Sequence, residues 1–305
     1  MDGSVVVLAG GTGGAKLAAG LASVMDPRRL TVIANTGDDI ELYGAHVSPD
    51  PDLVCFWLSG DIDERGWGLR GDSFAVMDAL RALGADVWFN LGDRDLAWCL
   101  ERARMLSEGL SPTAALKRLS RSIGIRSCVL PMSNDPVRTW VRTPTGWHSF
   151  QEFMIRQRAA GPVQGVQFRG AESARANEQA IDALARAHAI VIGPSNPLAS
   201  IGPILAVPGF RDALAQTQAP VLAVSPIVGG EVLKGPTAEF MAFAALECSA
   251  LGVAEFYGPL LDAIVSDEDV PQLAALQLDT RMDDDAARAR VAGQVLSFAA
   301  ALASG

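Results

Sequence analysis

Apolar residues fall into short continuous runs separated by longer amphipathic stretches. Val5 to Leu8, Leu30 to Ala34, Ala85 to Leu91, Ala189 to Ile192 and Pro220 to Val224 read as strands covered on both faces, since polar residues do not alternate regularly within them. Arg126 to Leu130 and Ala263 to Val265 read as shorter strands. Val137 to Arg142, with a turn at Pro144-Thr145-Gly146, predicts an antiparallel excursion. Helical spacing occupies Leu53 to Leu58, Ser73 to Leu83, Leu96 to Ser107, Ala174 to Ala187, Thr237 to Leu251 and Asp284 to Leu302. Ser111-Pro112 supplies a cap and a first-turn proline for another helix.

This alternation predicts an α/β fold: a Rossmann-like three-layer αβα arrangement with a mostly parallel sheet and a small inserted α/β excursion. Residues 1–305 read as a single domain, with an inserted helical and antiparallel subregion over approximately 93–170. In such folds the loops after strand C-termini gather along one edge, where ligands bind.

Those loops carry the chemistry. The first strand opens into Gly10-Gly11-Thr12-Gly13-Gly14-Ala15-Lys16, and the second into Asn35-Thr36-Gly37-Asp38-Asp39. Glycines admit close approach, and the N–H groups of a following helix start can hold phosphate oxygens. Gly10, Gly11, Thr12, Gly13, Gly14 and Lys16 are candidate phosphate contacts; tight packing at the turn is the alternative. Neither G-x-G-x-x-G nor a P-loop is present, which argues against a dinucleotide oxidoreductase.

Asp38 and Asp39 are candidate Mg²⁺ ligands, joined by Asp50 and Asp52 from Ser48-Pro49-Asp50-Pro51-Asp52. Asp50 could instead cap the helix through Leu53, with Asp52 favouring its dipole. Trp67, between glycines, could stack on a flat ring or simply anchor its loop. Asp93 and Arg94 could meet polar ligand atoms, or form an internal pair that caps a helix. Ser195 and Asn196 offer a hydroxyl and an amide between two prolines, or turn chemistry alone.

Composition narrows the partners. Lys and Arg number 25 against 35 Asp and Glu, a formal charge of −10, which disfavours broad nucleic-acid binding. Four scattered cysteines without C-x-x-C and three histidines argue against zinc and suit a reducing compartment, with the cysteines as small core residues. No signal peptide and no membrane span are expected, so a cytoplasmic protein is.

In order, these loops resemble the CofD/FbiA family, the 2-phospho-L-lactate transferases of coenzyme F420 biosynthesis. The matching segments are the glycine loop, the Asn35 and Ser48 loops, Arg65-Gly66-Trp67-Gly68, Leu91-Gly92-Asp93-Arg94-Asp95, Gly193-Pro194-Ser195-Asn196-Pro197 and Ser225-Pro226-Ile227-Val228-Gly229-Gly230. Pro51 departs from the leucine of many relatives. The resemblance implies a guanosine diphosphate-linked three-carbon acid as donor (phospholactate, phosphoenolpyruvate or 3-phosphoglycerate) and the deazaflavin Fo as acceptor. A ribityl hydroxyl attacks phosphorus, and GMP leaves.

Transferred onto this chain, the resemblance puts the donor on the glycine loop, Lys16, Ser195 and Asn196. It puts Fo near Trp67, Asp93 and Arg94, and Mg²⁺ on Asp38, Asp39, Asp50 and Asp52. Asp38 and Asp50 become the catalytic acids, in a homodimer. A regulatory nucleotide-sugar binder of the YvcK-like type is the competing resemblance.

Overall fold

The computed structural model describes residues 3–232 and 235–304. Its central sheet is built from β1 (Val5–Ala9), β2 (Leu30–Ala34), β3 (Cys128–Pro131), β4 (Ala189–Ile192), β5 (Val221–Val224), β6 (Ala263–Ser266) and β7 (Ala274–Gln277). All six pairings are parallel, in the spatial order 3-2-1-4-5-6-7. The order reverses direction between β1 and β4, the point where such sheets open a crevice at their carboxyl edge. Ala9 lies level with Ala34, and Leu8 with Ile192, so the loops leaving β1, β2 and β4 emerge side by side.

Side chains of a strand alternate between faces. Val5, Val7 and Ala9 enter one apolar core, while Val6 and Leu8 enter the other. Both cores are covered by helices, which explains why β1 shows no polar alternation. On the first face α1 (Gly11–Val24) packs on α2 (Pro49–Ser59) and on the terminal helix Asp285–Leu302. On that face also lie α3 (Ala75–Ala82), α4 (Asp93–Ser107) and α5 (Pro112–Ser122). Ser111 caps α5 by accepting from the Ala114 N–H, as its sequence predicts.

The three-layer αβα expectation is met. The antiparallel excursion is a three-stranded sheet, with Arg138–Thr143 between Gly146–Ser149 and Gly165–Arg169. Its turn falls at Pro144-Thr145 as read.

Three readings are corrected. Ala85 to Leu91 forms no strand. β2 pairs with β1 on one side and β3 on the other, so the sheet offers it no place. The segment runs along the edge of the core without regular structure, with Ala85 and Asp86 exposed and Val87 and Phe89 half-buried against it, and the Tyr43 hydroxyl takes up both the N–H and the carbonyl of Phe89. Thr237 to Leu251 splits into Thr237–Phe243 and Ala250–Tyr257 at Ala245, whose φ is +56°; Ser249 caps the second piece. Ala174 to Ala187 shortens to Glu178–Ala185, because the buried Asn177 caps it while its amide reaches Pro131 and Thr113. Of the cysteines, Cys55 and Cys99 are buried as read, whereas Cys128 is exposed.

A hairpin was not legible: Ile40–Leu42 pairs with Ala45–Val47 through Tyr43 and Gly44, both at positive φ. Two such residues suit the twist of a two-residue hairpin turn, although tyrosine is an uncommon occupant.

Candidate active site

The glycine loop, the loop after β2 and the start of α2 meet at one carboxylate. Pro49 opens α2, so Asp50 falls in its first turn. The Gly11 N–H donates to Asp50 Oδ1 at 2.7 Å, and Asn35 Nδ2 donates to Oδ2 at 2.9 Å. Asn35 is fixed in turn: its N–H donates to the Ala9 carbonyl, and its Oδ1 accepts from the Gly37 N–H.

Asp38, Asp39 and Asp50 are all buried. Burial pushes Asp50 up to about 6, against the contacts from Gly11 and Asn35, and the charge of Asp39 adds to the rise. Burial drives Asp38 well above the usual carboxylate range, helped by the charges of Asp50 and Asp39.

Unmet hydrogen-bonding capacity gathers at the same turn. Asp38 Oδ1, Thr36 Oγ1 and Thr139 Oγ1 are buried without a partner. A buried polar atom left unpaired costs about 1–3 kcal/mol, so three near one turn mark a place built for a polar ligand.

The other expected acids sit differently. Asp39 accepts from Ser48 Oγ at 2.7 Å, and its second oxygen lies 3.2 Å from His46 Nε2. Asp52 is engaged by the buried Arg102, which contacts both of its oxygens, and by Trp98 Nε1 at 2.8 Å. Burial raises Asp52 against the pull of Arg102. Burial also opposes the Arg102 charge, but Asp52 outweighs it and holds the guanidinium firmly protonated. Asp52, Asp95 and Cys99 lie within 4.8 Å of one another. The guanidinium on Asp52 already supplies the cation of that cluster, so the expected ligand role of Asp52 gives way to an ion pair that ties α4 to α2.

The glycine loop serves two purposes. The first four N–H groups of a helix have no partner within it. Gly11 N–H is taken by Asp50, and Gly10 N–H lies 3.5 Å from Ser195 Oγ. Among the described residues the Thr12 and Gly13 N–H groups meet no acceptor outside the helix, so they stay open to an anion. Packing accounts for much of the remaining glycine content. A Cβ on Gly13 would sit 1.8 Å from the Pro194 carbonyl oxygen, and one on Gly14 would sit 2.9 Å from Ala9. Gly11 differs: its φ of +63° is what demands glycine.

The Lys16 Nζ lies 5.7 Å from the centre of the Trp57 ring of α2. Ser195 is buried, with its Oγ 3.5 Å from the Gly10 N–H. The Asn196 side chain caps the next turn by accepting from the Leu198 and Ala199 N–H groups.

The Asp93 carboxylate accepts from Ser73 Oγ and from the N–H groups of Ala75 and Val76, so it caps α3. Asp72 returns the favour at α4 by accepting from the Arg94 and Asp95 N–H groups. Gly92 permits this exchange, since a Cβ there would meet Asp72 at 2.1 Å. Arg94 also donates to the Arg70 carbonyl. Trp67 is 43% exposed, with the Arg65 guanidinium 4.3 Å from its ring centre.

Asn35, Thr139 and Arg102 were missed. An arginine on the otherwise apolar face of α4 was the available signal for Arg102. Nothing local marks Thr139, which enters the site only through the fold.

A family model described as CofD, 2-phospho-L-lactate transferase, matches residues 5–295. The 2-phospho-L-lactate transferase of Methanosarcina mazei is 39% identical over 265 residues, 87% of each chain. That of Methanospirillum hungatei is 36% identical over 96% of this chain and 99% of its own. A phosphoenolpyruvate transferase of Streptomyces griseus is 42% identical over 86% of this chain and 85% of its own. Among solved structures, a UPF0052 family member from Bacillus halodurans shares the fold, with a TM-score of 0.58 at 20% identity over 89% of this chain and 83% of that one. The sequence match runs through every loop of the site, and the chain belongs to the CofD family of 2-phospho-L-lactate transferases, a family of transferase enzymes.

Proposed function

We propose that the protein transfers a phosphorylated three-carbon acid from a guanosine diphosphate-linked donor to the ribityl hydroxyl of Fo, a step of coenzyme F420 biosynthesis, with Mg²⁺ as cofactor. The observation that carries this reading is Asp50, held between the glycine loop and Asn35 beside the unpaired oxygen of Asp38. An oxygen-only set of buried carboxylates suits a hard divalent cation, which usually takes one or two of them plus phosphate and water.

Phosphoryl transfer asks the protein for position and charge neutralisation rather than a nucleophile. The Thr12 and Gly13 N–H groups bind diphosphate oxygens at the start of α1. Asp38 and Asp50 would hold Mg²⁺, which supplies charge neutralisation for the phosphoryl groups when bound. The acceptor hydroxyl forms a bond to the phosphorus that bears the acid, and the bond from that phosphorus to the GMP oxygen breaks. Both Asp50 oxygens are engaged by protein donors, so the hydroxyl proton passes to Asp38, whose Oδ1 is open. The products are a phosphodiester and GMP.

Relatives named for phospholactate and for phosphoenolpyruvate are similarly close in identity, so the acid is fixed by assay. Purified protein, Fo, Mg²⁺ and each guanylated donor are incubated, and products are read by mass. The expected result is a phosphodiester of Fo with at least one donor. No product with any of the phospholactate, phosphoenolpyruvate and 3-phosphoglycerate donors would refute the reading.

A further inference from the structure

Between Pro197 and Phe210 the chain holds one polar side chain, Ser200. Resting on the donor reading above, we propose that the Ser200 hydroxyl is a donor-binding group, holding a diphosphate oxygen together with the open N–H groups at the start of α1. An irregular turn brings the serine there. After β4, Pro197–Ile201 forms a π turn, in which the Ile201 N–H reaches the Asn196 carbonyl at 3.2 Å and the Gly202 N–H reaches that of Pro197. Such wide turns are rare and recur at functional sites. Leu198, Ala199 and Ile201 enter the second core, while Ser200 packs on the glycine loop. A Cβ on Gly10 would sit 2.6 Å from the Ser200 Cβ, and one on Gly11 would lie 3.7 Å from its Oγ.

Packing does not account for the hydroxyl. The close approach to Gly10 demands a small residue, and alanine would satisfy it. A serine inside a helical turn can donate to the carbonyl four residues back. Here the Asn196 carbonyl is taken by the N–H groups of Ser200 and Ile201, and among the described residues Ser200 Oγ has no hydrogen-bond partner. Ser200 is 7% exposed, yet its Oγ, unlike those of Thr36 and Thr139, is not closed off from solvent. An unpaired donor therefore stands at the rim of a helix start whose Thr12 and Gly13 N–H groups are also open. Asp50 takes the Gly11 N–H, which removes one anion donor from that start. The Ser200 hydroxyl, beside the same glycine, supplies a replacement, because it rotates to present its hydrogen to an anion. A hydrogen bond to a charged phosphate oxygen is stronger than one between neutral groups.

The test is titration of GDP and of Fo, each alone, into wild type, Ser200→Ala and Ser200→Cys. Ser200→Ala should weaken GDP binding about tenfold and leave Fo affinity unchanged. Ser200→Cys should match it, since a thiol is a weak donor. The melting temperature of Ser200→Ala without ligand should hold or rise, because an unpaired polar group is removed. A phosphorus NMR signal of bound GDP should move between wild type and Ser200→Ala, which a purely structural serine would not cause. Unchanged GDP affinity or an unmoved phosphorus spectrum would overturn the assignment. So would an equal loss for Fo, or unfolding of Ser200→Ala, either of which would make the hydroxyl structural. Failure of the wild type to bind GDP would overturn the donor reading itself, and this assignment with it.

Discussion

Arg102→Met removes one buried charge while keeping most of the side-chain volume. In the native protein Arg102 and Asp52 are each 4% exposed, and the guanidinium contacts both carboxylate oxygens. Without it Asp52 keeps Trp98 Nε1 as its strong donor. Removing one partner of a buried ion pair costs about 3–5 kcal/mol, because the other charge is left uncompensated. Against a typical stability of about 5–15 kcal/mol, that is a large fraction.

The deficit should depend on pH. Burial already raises Asp52 in the native protein, and loss of Arg102 raises it further. A carboxyl with a raised folded pKa keeps its proton where the unfolded chain has released it, so its contribution is present at low pH and is lost as pH climbs through the folded value. The deficit should be small where Asp52 is protonated and should grow as pH rises from the acid to the neutral range. Urea unfolding across this range measures it. Adding Asp52→Asn should recover part of the loss, since no buried charge then remains. A loss below about 1 kcal/mol, or one that ignores pH, would refute this account of the pair. Transfer should also slow, because Arg102 donates to the His46 carbonyl and His46 contacts Asp39.

Gly13→Ala should unfold or severely destabilise the protein, its Cβ lying 1.8 Å from the Pro194 oxygen, whereas Gly11→Ala meets nothing closer than 3.7 Å and should cost only the strain of a left-handed residue, about 1–2 kcal/mol; thermal melts rank the two. Asp93→Ala should lower the melting temperature by uncapping α3 and leave Fo and GDP affinities unchanged; a selective loss of Fo binding in titration would restore Asp93 to the acceptor site. Asp50, raised to about 6 by burial, should make the metal-free protein lose stability as pH rises through that value. The thermal shift given by Mg²⁺ should therefore grow between about pH 5 and about pH 7.5, and a shift independent of pH would contradict the ligand role.

What was legible in the sequence followed from burial on both faces. β1, β2, β4 and β5 were found because unbroken apolar runs leave few alternatives, and their order placed the site at the carboxyl edge. β7 escaped because Ala274–Gln277 is a short, mostly exposed edge strand without a β-branched or aromatic residue. Ala85 to Leu91 misled because a half-buried segment that packs its apolar side chains against the core edge has the same apolar content as a strand. Within the site, Asp50 was identifiable by its loop, but its clamp by Gly11 and Asn35 joins residues 39 and 15 positions away. Asp93 illustrates the reverse: its cap on α3 joins residues up to 20 positions apart, which no local pattern announces.

The central claim is that the Asp38–Asp50 pair carries a divalent cation on which transfer depends. Its most direct test is product formation from Fo and the guanylated donor, with Mg²⁺ and with EDTA, for wild type and Asp50→Asn, alongside GDP binding to confirm folding. The account predicts product with Mg²⁺, none with EDTA, and a rate at least about a hundredfold lower for a folded, GDP-binding Asp50→Asn protein. Undiminished transfer in EDTA, or wild-type rates from Asp50→Asn, would contradict it.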